Sequence, residues 1–126
     1  MSDPRKRRLW QSFADAGRGI LAVARSERNF CIHLVVLLIV IVAGLILGLS
    51  GGEWLAVVLC AGLVLAAEVF NTAIEYLADA VHPEADLGIR NAKDASAGAV
   101  LIAVVAAVIV GAIIFLPKLW DLLTKS

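Results

Sequence analysis

The chain has 126 residues, 61% of them apolar, and a mean hydropathy of +0.92. Soluble domains hold roughly 45–50% apolar residues, so most of this chain is solvated by hydrocarbon, and its length allows a single integral membrane domain, 1–126. Eleven Lys and Arg balance eleven Asp and Glu, which excludes the basic surplus of a nucleic-acid partner.

Arg5-Lys6-Arg7-Arg8 opens a segment, about 5–27, whose apolar residues recur at helical spacing. Trp10, Phe13, Gly17, Ile20, Leu21 and Ala24 gather on one side, and Gln11, Asp15, Arg18 and Arg25 take the other. This predicts an amphipathic helix that either lies flat in a membrane interface or packs on the domain's own surface. A first span follows at about 30–49, with His33 its only ionisable group. At about 1.5 Å per residue it crosses roughly 30 Å of hydrocarbon, and it is too long for the apolar region of a signal peptide. Cys31 in this span and Cys60 in the next have no CxxC or Cys–His spacing suited to zinc, so small packing roles are expected.

Ser50-Gly51-Gly52 predicts a tight turn, and a second span at about 53–81 begins with Trp54 as an interfacial anchor. Residues 82–88 are polar with Pro83 and Gly88, and read as a loop. A third span at about 92–116 is expected to stop at Pro117, with Lys118 and Trp120 as anchors beyond. The expected fold is an all-α membrane protein: three transmembrane helices preceded by an N-terminal amphipathic surface helix.

Nine of the eleven Lys and Arg lie in the amino-terminal segment and near the second loop, and the other two, Lys118 and Lys125, lie in the tail. The positive-inside bias therefore places the amino terminus and the 82–91 loop in the cytoplasm and the carboxy terminus outside. Gly44 with Gly48, and the four-apart stripe Ala99, Ala103, Ala107 and Gly111, mark surfaces where helices approach closely, within one chain or between chains.

The second span carries an unexpected set of polar residues. Asn71, Thr72, Glu75 and Asp79 all fall within about 60° of Glu68 on the helical wheel, so the five share one face. Glu68 lies about 21 Å along the axis from Trp54, in the inner third of the bilayer, and Glu75 lies near the cytoplasmic interface. A carboxylate at mid-bilayer costs roughly 2.5–3.5 kcal/mol, so a compensating group is required. Glu27, Lys93 and Asp94 come from other segments at the same cytoplasmic level, while Asp79 and Arg28 read as helix ends in water. Several carboxylates beside one lysine suit a hard cation such as Mg²⁺ with phosphate oxygens, although a proton or cation path also uses buried acids. No GxxxxGK[ST] or GxGxxG pattern occurs, so a nucleotide would bind in an unusual mode.

The stretches Phe13-Ala14-Asp15-Ala16-Gly17-Arg18-Gly19, Glu27-Arg28-Asn29-Phe30, Glu68-Val69-Phe70-Asn71-Thr72-Ala73-Ile74-Glu75 and Ala92-Lys93-Asp94-Ala95-Ser96-Ala97-Gly98 resemble the small bacterial membrane kinases that phosphorylate diacylglycerol or undecaprenol. The resemblance runs from about residue 13 to residue 119. It implies an ATP-dependent phosphotransferase with a lipid alcohol as acceptor, in the bacterial inner membrane, working as a homotrimer whose active sites are shared between subunits. It further implies Glu68 as the catalytic base, Glu27 and Glu75 as ligands of the Mg²⁺ that accompanies ATP, and Asn71, Lys93 and Asp94 on the nucleotide phosphates. Glu84 would lie near the nucleoside, and Arg18 would make a further nucleotide contact. Many relatives carry histidine where this chain has Asp86, which removes an expected adenine contact. Arg-x-Glu-Arg-Asn-Phe, Asn-Thr-Ala-Ile-Glu and the Ile113-Ile114-Phe115-Leu116-Pro117-Lys118-Leu119 ending resemble the Gram-positive type, so undecaprenol is the expected acceptor. Diacylglycerol is the alternative, and an ion- or proton-conducting helical oligomer is the rival from another class.

Overall fold

The computed structural model describes residues 4–82, 84 and 86–125, with side chains from Arg8 onward. Four helices follow one another: α1 (Pro4–Ser26), α2 (Arg28–Leu47), α3 (Gly51–Val81) and α4 (Leu87–Thr124). The last three are long and apolar enough to cross a membrane. At about 1.5 Å per residue, α2 just spans roughly 30 Å of hydrocarbon, whereas α3 and α4, at about 46 and 57 Å, reach beyond it.

The tightest helix pair is α3 with α4. Val57, Val64, Glu68, Thr72 and Ala78 are the buried residues of α3, and Ser96, Ala103 and Ile114 those of α4. The first four of the α3 set recur at seven- and four-residue intervals, which keeps them on one side of the helix. Small side chains on the α4 seam, Ser96 and Ala103, let the backbones approach where no hydrophobic driving force separates protein from lipid. Glu53 with Lys118, Asn71 with Ser96, and Asp79 with Lys93 meet in antiparallel register, holding the pair together along about 39 Å of α3.

Helix α2 packs antiparallel on α3 through Gly44 at its outer end, where a Cβ would lie 2.7 Å from Trp54 Cη2. Gly48 does something different from Gly44. It takes φ 73° as the C-cap of α2, and the N–H groups of Gly48 and Leu49 both return to Gly44 O. Gly44 and Gly48 thus do not form one packing face. Only the first accepts a neighbour, while the second ends the helix.

The same geometry corrects the first turn. Gly51 and Gly52 are already helical, and Ser50 caps α3 in a capping box with Glu53, whose carboxylate also lies 3.0 Å from Lys118 Nζ. At the other loop, Asp86 accepts from Ile89 N–H as N-cap, so α4 begins at Leu87 rather than near residue 92, and Gly88 is helical. Pro83 and Ala85 of that predicted loop lie outside the described residues.

The third span, α4, also fails to stop at Pro117 and continues to Thr124. Proline removes one N–H, a loss that a membrane helix tolerates when its neighbours hold it in place. Ile114 is buried one turn before it, and the Lys118–Glu53 ion pair follows directly.

In α1 the apolar side chains Leu9, Trp10, Phe13, Ile20 and Leu21 are exposed, and Val23 is buried near the junction with α2. That favours the interfacial reading over packing on the domain's own surface, because the apolar face has no covering from the chain itself. Cys31 donates its thiol to Ala24 O at 2.9 Å, a helix-junction contact rather than plain packing in lipid.

Candidate functional site

Polar groups from α2, α3, α4 and the α1–α2 junction gather toward the end of the bundle that holds the α1–α2 junction and the α3–α4 loop. The junction is built by Glu27, which leaves helical geometry (φ −109°, ψ 111°) and separates α1 from α2. Its backbone N–H donates to Val23 O at 2.8 Å, but its half-buried side chain makes no capping hydrogen bond. One residue earlier, Ser26 Oγ lies 2.6 Å from Tyr76 Oη. That contact sets Glu27 at the level of α3 that carries Glu75, also half-buried.

Deeper in the bundle, Glu68 is 4% exposed and its Oε1 lies 3.0 Å from His33 Nε2 on α2. Thr72, 1% exposed, spends its hydroxyl on Glu68 O at 3.0 Å, so it serves helix geometry rather than the site. Ser96 Oγ lies 2.7 Å from Asn71 Oδ1 and 2.9 Å from Lys93 O. A hydroxyl has one proton to give, so both contacts are satisfied together when the Asn71 amide turns its NH₂ toward Ser96.

Lys93 Nζ lies 2.6 Å from Asp79 Oδ1, and its charge also interacts with that of Glu75. Asp79, expected to be a helix end in water, is therefore the tether that aims Lys93. Asp86 has two partners, Ile89 N–H and His82 Nε2 at 3.2 Å, which explains the acid at this position as local architecture.

The geometry thus joins Asn71 to Lys93 through Ser96 and Lys93 to Glu75 by charge, ties Glu68 separately to His33, and brings Glu27 to the level of Glu75. Asp94 is exposed on α4, and Glu84 is exposed in the loop. Arg18 stands apart on α1, ion-paired with Asp15 on its own exposed face. The residues that sequence reasoning passed over are His33, Ser26, Tyr76 and Ser96. Only His33 carried a usable signal, as an ionisable side chain within a span.

The donor set fits a hard cation. Among the described residues, the Glu27 and Glu75 carboxylates have no hydrogen-bond or ion-pair partner, and no three His, Cys, Asp or Glu side chains form an all-protein metal cage. Mg²⁺ typically takes one or two carboxylates and completes its shell with phosphate oxygens and water.

From His33 outward, an apolar groove of about 260 Å³ runs between the spans, lined among others by Val40 of α2, Val64 of α3, and Val104, Gly111 and Phe115 of α4. His33, the hydrogen-bond partner of Glu68, thus belongs to the lining of an apolar trough.

Comparison with known proteins gives the same picture. Residues 14–115 match the family described as prokaryotic diacylglycerol kinase. The chain is 43% identical over 116 residues to an undecaprenol kinase of Bacillus subtilis, covering 89% of this chain and 91% of that one. It is 36% identical over 132 residues to a diacylglycerol kinase of Synechocystis, covering 95% and 73% respectively.

Proposed function

Because the chain belongs to the prokaryotic diacylglycerol kinase family and is a membrane lipid kinase with an alcohol acceptor, we propose that it transfers the γ-phosphoryl group of ATP to the hydroxyl of undecaprenol in preference to diacylglycerol. The observation that carries this reading is the hydrogen bond of Glu68 to His33, which lines the apolar groove, with Asn71, Glu75 and Lys93 following toward the same end of the bundle and Glu27 at the level of Glu75. A kinase for a lipid must bring a hydroxyl held in hydrocarbon to a phosphate held in water, and this arrangement supplies both sides. The higher identity to an undecaprenol kinase supports the acceptor.

In this reading Glu68 receives the proton of the lipid hydroxyl as its oxygen attacks the γ-phosphorus, and ADP leaves with the electron pair of the broken P–O bond. Glu27 and Glu75 would hold Mg²⁺, which when bound supplies positive charge to the phosphate oxygens. Asn71, Lys93 and Asp94 orient the triphosphate, with Lys93 acting as a point charge aimed by Asp79. Glu84 lies toward the nucleoside, and Arg18 adds a contact from the surface helix once it exchanges Asp15 for phosphate. The protein sits in the bacterial inner membrane with its amino terminus and active site cytoplasmic and its carboxy terminus outside. It works as a homotrimer with active sites shared between subunits.

The test is a competition assay. Purified protein in mixed micelles, with Mg²⁺ and γ-labelled ATP, is given undecaprenol and diacylglycerol together, and label is expected chiefly on undecaprenol. Label chiefly on diacylglycerol would correct the acceptor, and no labelled lipid at all would remove the proposal.

A further inference from the structure

The mechanism above uses Glu68 but leaves its neighbour without a task. His33 is the only Asp, Glu, Lys, Arg or His of α2 beyond Arg28, and it reaches the one carboxylate that the bundle buries. Its Nε2 lies 3.0 Å from Glu68 Oε1, and its side chain is 23% exposed against 6% for Glu68. Among the described residues, His33 is the side chain that hydrogen-bonds the Glu68 carboxyl. It also lines the apolar groove, so it stands where that groove meets the base.

A carboxylate able to take a proton can only accept hydrogen bonds, so the imidazole must carry its hydrogen on Nε2. Donation to Oε1 holds that oxygen and fixes the plane of the carboxyl group. The second oxygen, Oε2, then remains free to accept. A long glutamate side chain in hydrocarbon would otherwise spread over several rotamers, and a hydroxyl delivered along the groove would meet the base in a reactive pose only part of the time.

We propose that His33 is a positioning residue for Glu68: its Nε2–H anchors Oε1 and leaves Oε2 facing the acceptor hydroxyl. The inference rests on Glu68 being the base. In the step that follows, the alcohol O–H bond breaks and its proton passes to Oε2. The alcohol oxygen bonds the γ-phosphorus, and the bond from that phosphorus to the bridging oxygen of ADP breaks. His33 neither gains nor loses a proton overall.

The experiment compares kcat and KM of the full-length enzyme with His33→Leu, His33→Gln, His33→Asn, Glu68→Gln and the double variant Glu68→Gln/His33→Leu. His33→Leu is expected to lower kcat about 10²-fold, the loss that follows from misplacing a reacting group, with KM for ATP within about twofold. His33→Gln, whose amide nitrogen can stand where imidazole Nε2 stands, should recover most of that loss, and the shorter His33→Asn should not. In the Glu68→Gln background, His33→Leu should cost nothing further, because it acts through the group already removed.

Full activity in His33→Leu, with Glu68→Gln inactive, overturns the positioning role and leaves the base in place. Full activity in Glu68→Gln overturns the base and the inference with it. If His33→Leu does not fold, the two amide variants decide: equal activity of His33→Gln and His33→Asn overturns the proposal.

Discussion

Lys93 shows how a single side chain can be fixed without being consumed. Its ammonium is 2.6 Å from Asp79 and 36% exposed, so the pair stands in water-rich surroundings where exchange of one anionic partner for another is cheap. A triphosphate offers more negative charge than one carboxylate and can displace it. Lys93→Met is therefore expected to lower kcat by about 10²-fold or more, since it removes charge from the transferring phosphate. Asp79→Asn, which only loosens the aim, should cost less than about fivefold. Steady-state rates at saturating ATP separate the two, and equal losses would make the pair, rather than the lysine, the functional unit. Glu75→Gln should raise the Mg²⁺ concentration for half-maximal rate by about tenfold, equivalent to about 1.4 kcal/mol of lost binding. A Mg²⁺ titration of the variant checks this, and an unchanged midpoint would remove Glu75 from the metal set.

The helices are held by a few specific devices at their ends, and each can be broken separately. Gly44→Ala drives a methyl group to 2.7 Å from the Trp54 ring, so the ring or the helix must shift. A destabilisation of about 1–3 kcal/mol is expected from such overpacking, and Trp54→Leu in the same chain should relieve part of it. Gly48→Ala meets open space but must hold φ 73°, costing about 1–2 kcal/mol through backbone conformation alone. Thermal inactivation in detergent should therefore show both glycine variants weakened, with only the Gly44 variant rescued by a smaller residue at 54. Asp86→Ala removes the cap of α4, a loss of about 1 kcal/mol. That variant should lower thermal stability while leaving the Mg²⁺ midpoint unchanged, because Asp86 is engaged with Ile89 and His82.

A single chain leaves most of its apolar surface uncovered. On α2 only Phe30 and Gly44 are buried, although nearly every residue of that helix is apolar. Lipid covers such a surface, and in the proposed homotrimer neighbouring copies would cover part of it. On the surface helix Arg18 is paired with Asp15 of its own chain, and in the proposed homotrimer its nucleotide contact would come from a second copy. Mixing inactive Glu68→Gln subunits with inactive Lys93→Met subunits should restore measurable activity if one site draws these two residues from different chains. No recovery would place the complete site within one chain.

The three spans and the basic amphipathic helix were legible in the sequence, because hydrocarbon solvation imposes long uncharged runs and interfacial burial imposes a period of 3.6. The shared face of Glu68, Asn71 and Glu75 was legible for the same reason, since helical geometry alone decides which residues of one helix lie together. Pro117 and Gly51-Gly52 misled because local propensity was overruled: Ile114 packing and the Lys118–Glu53 pair carry α4 past the proline, and the Ser50 capping box starts α3 before the second glycine. What folding alone decided is which side chains from different helices meet. His33 with Glu68, Asp79 with Lys93, and Ser26 with Tyr76 depend on the relative register and rotation of neighbouring helices. Those are set by the small side chains on the α4 seam and by the ring of Trp54 seated on Gly44, contacts that no periodicity along one helix encodes.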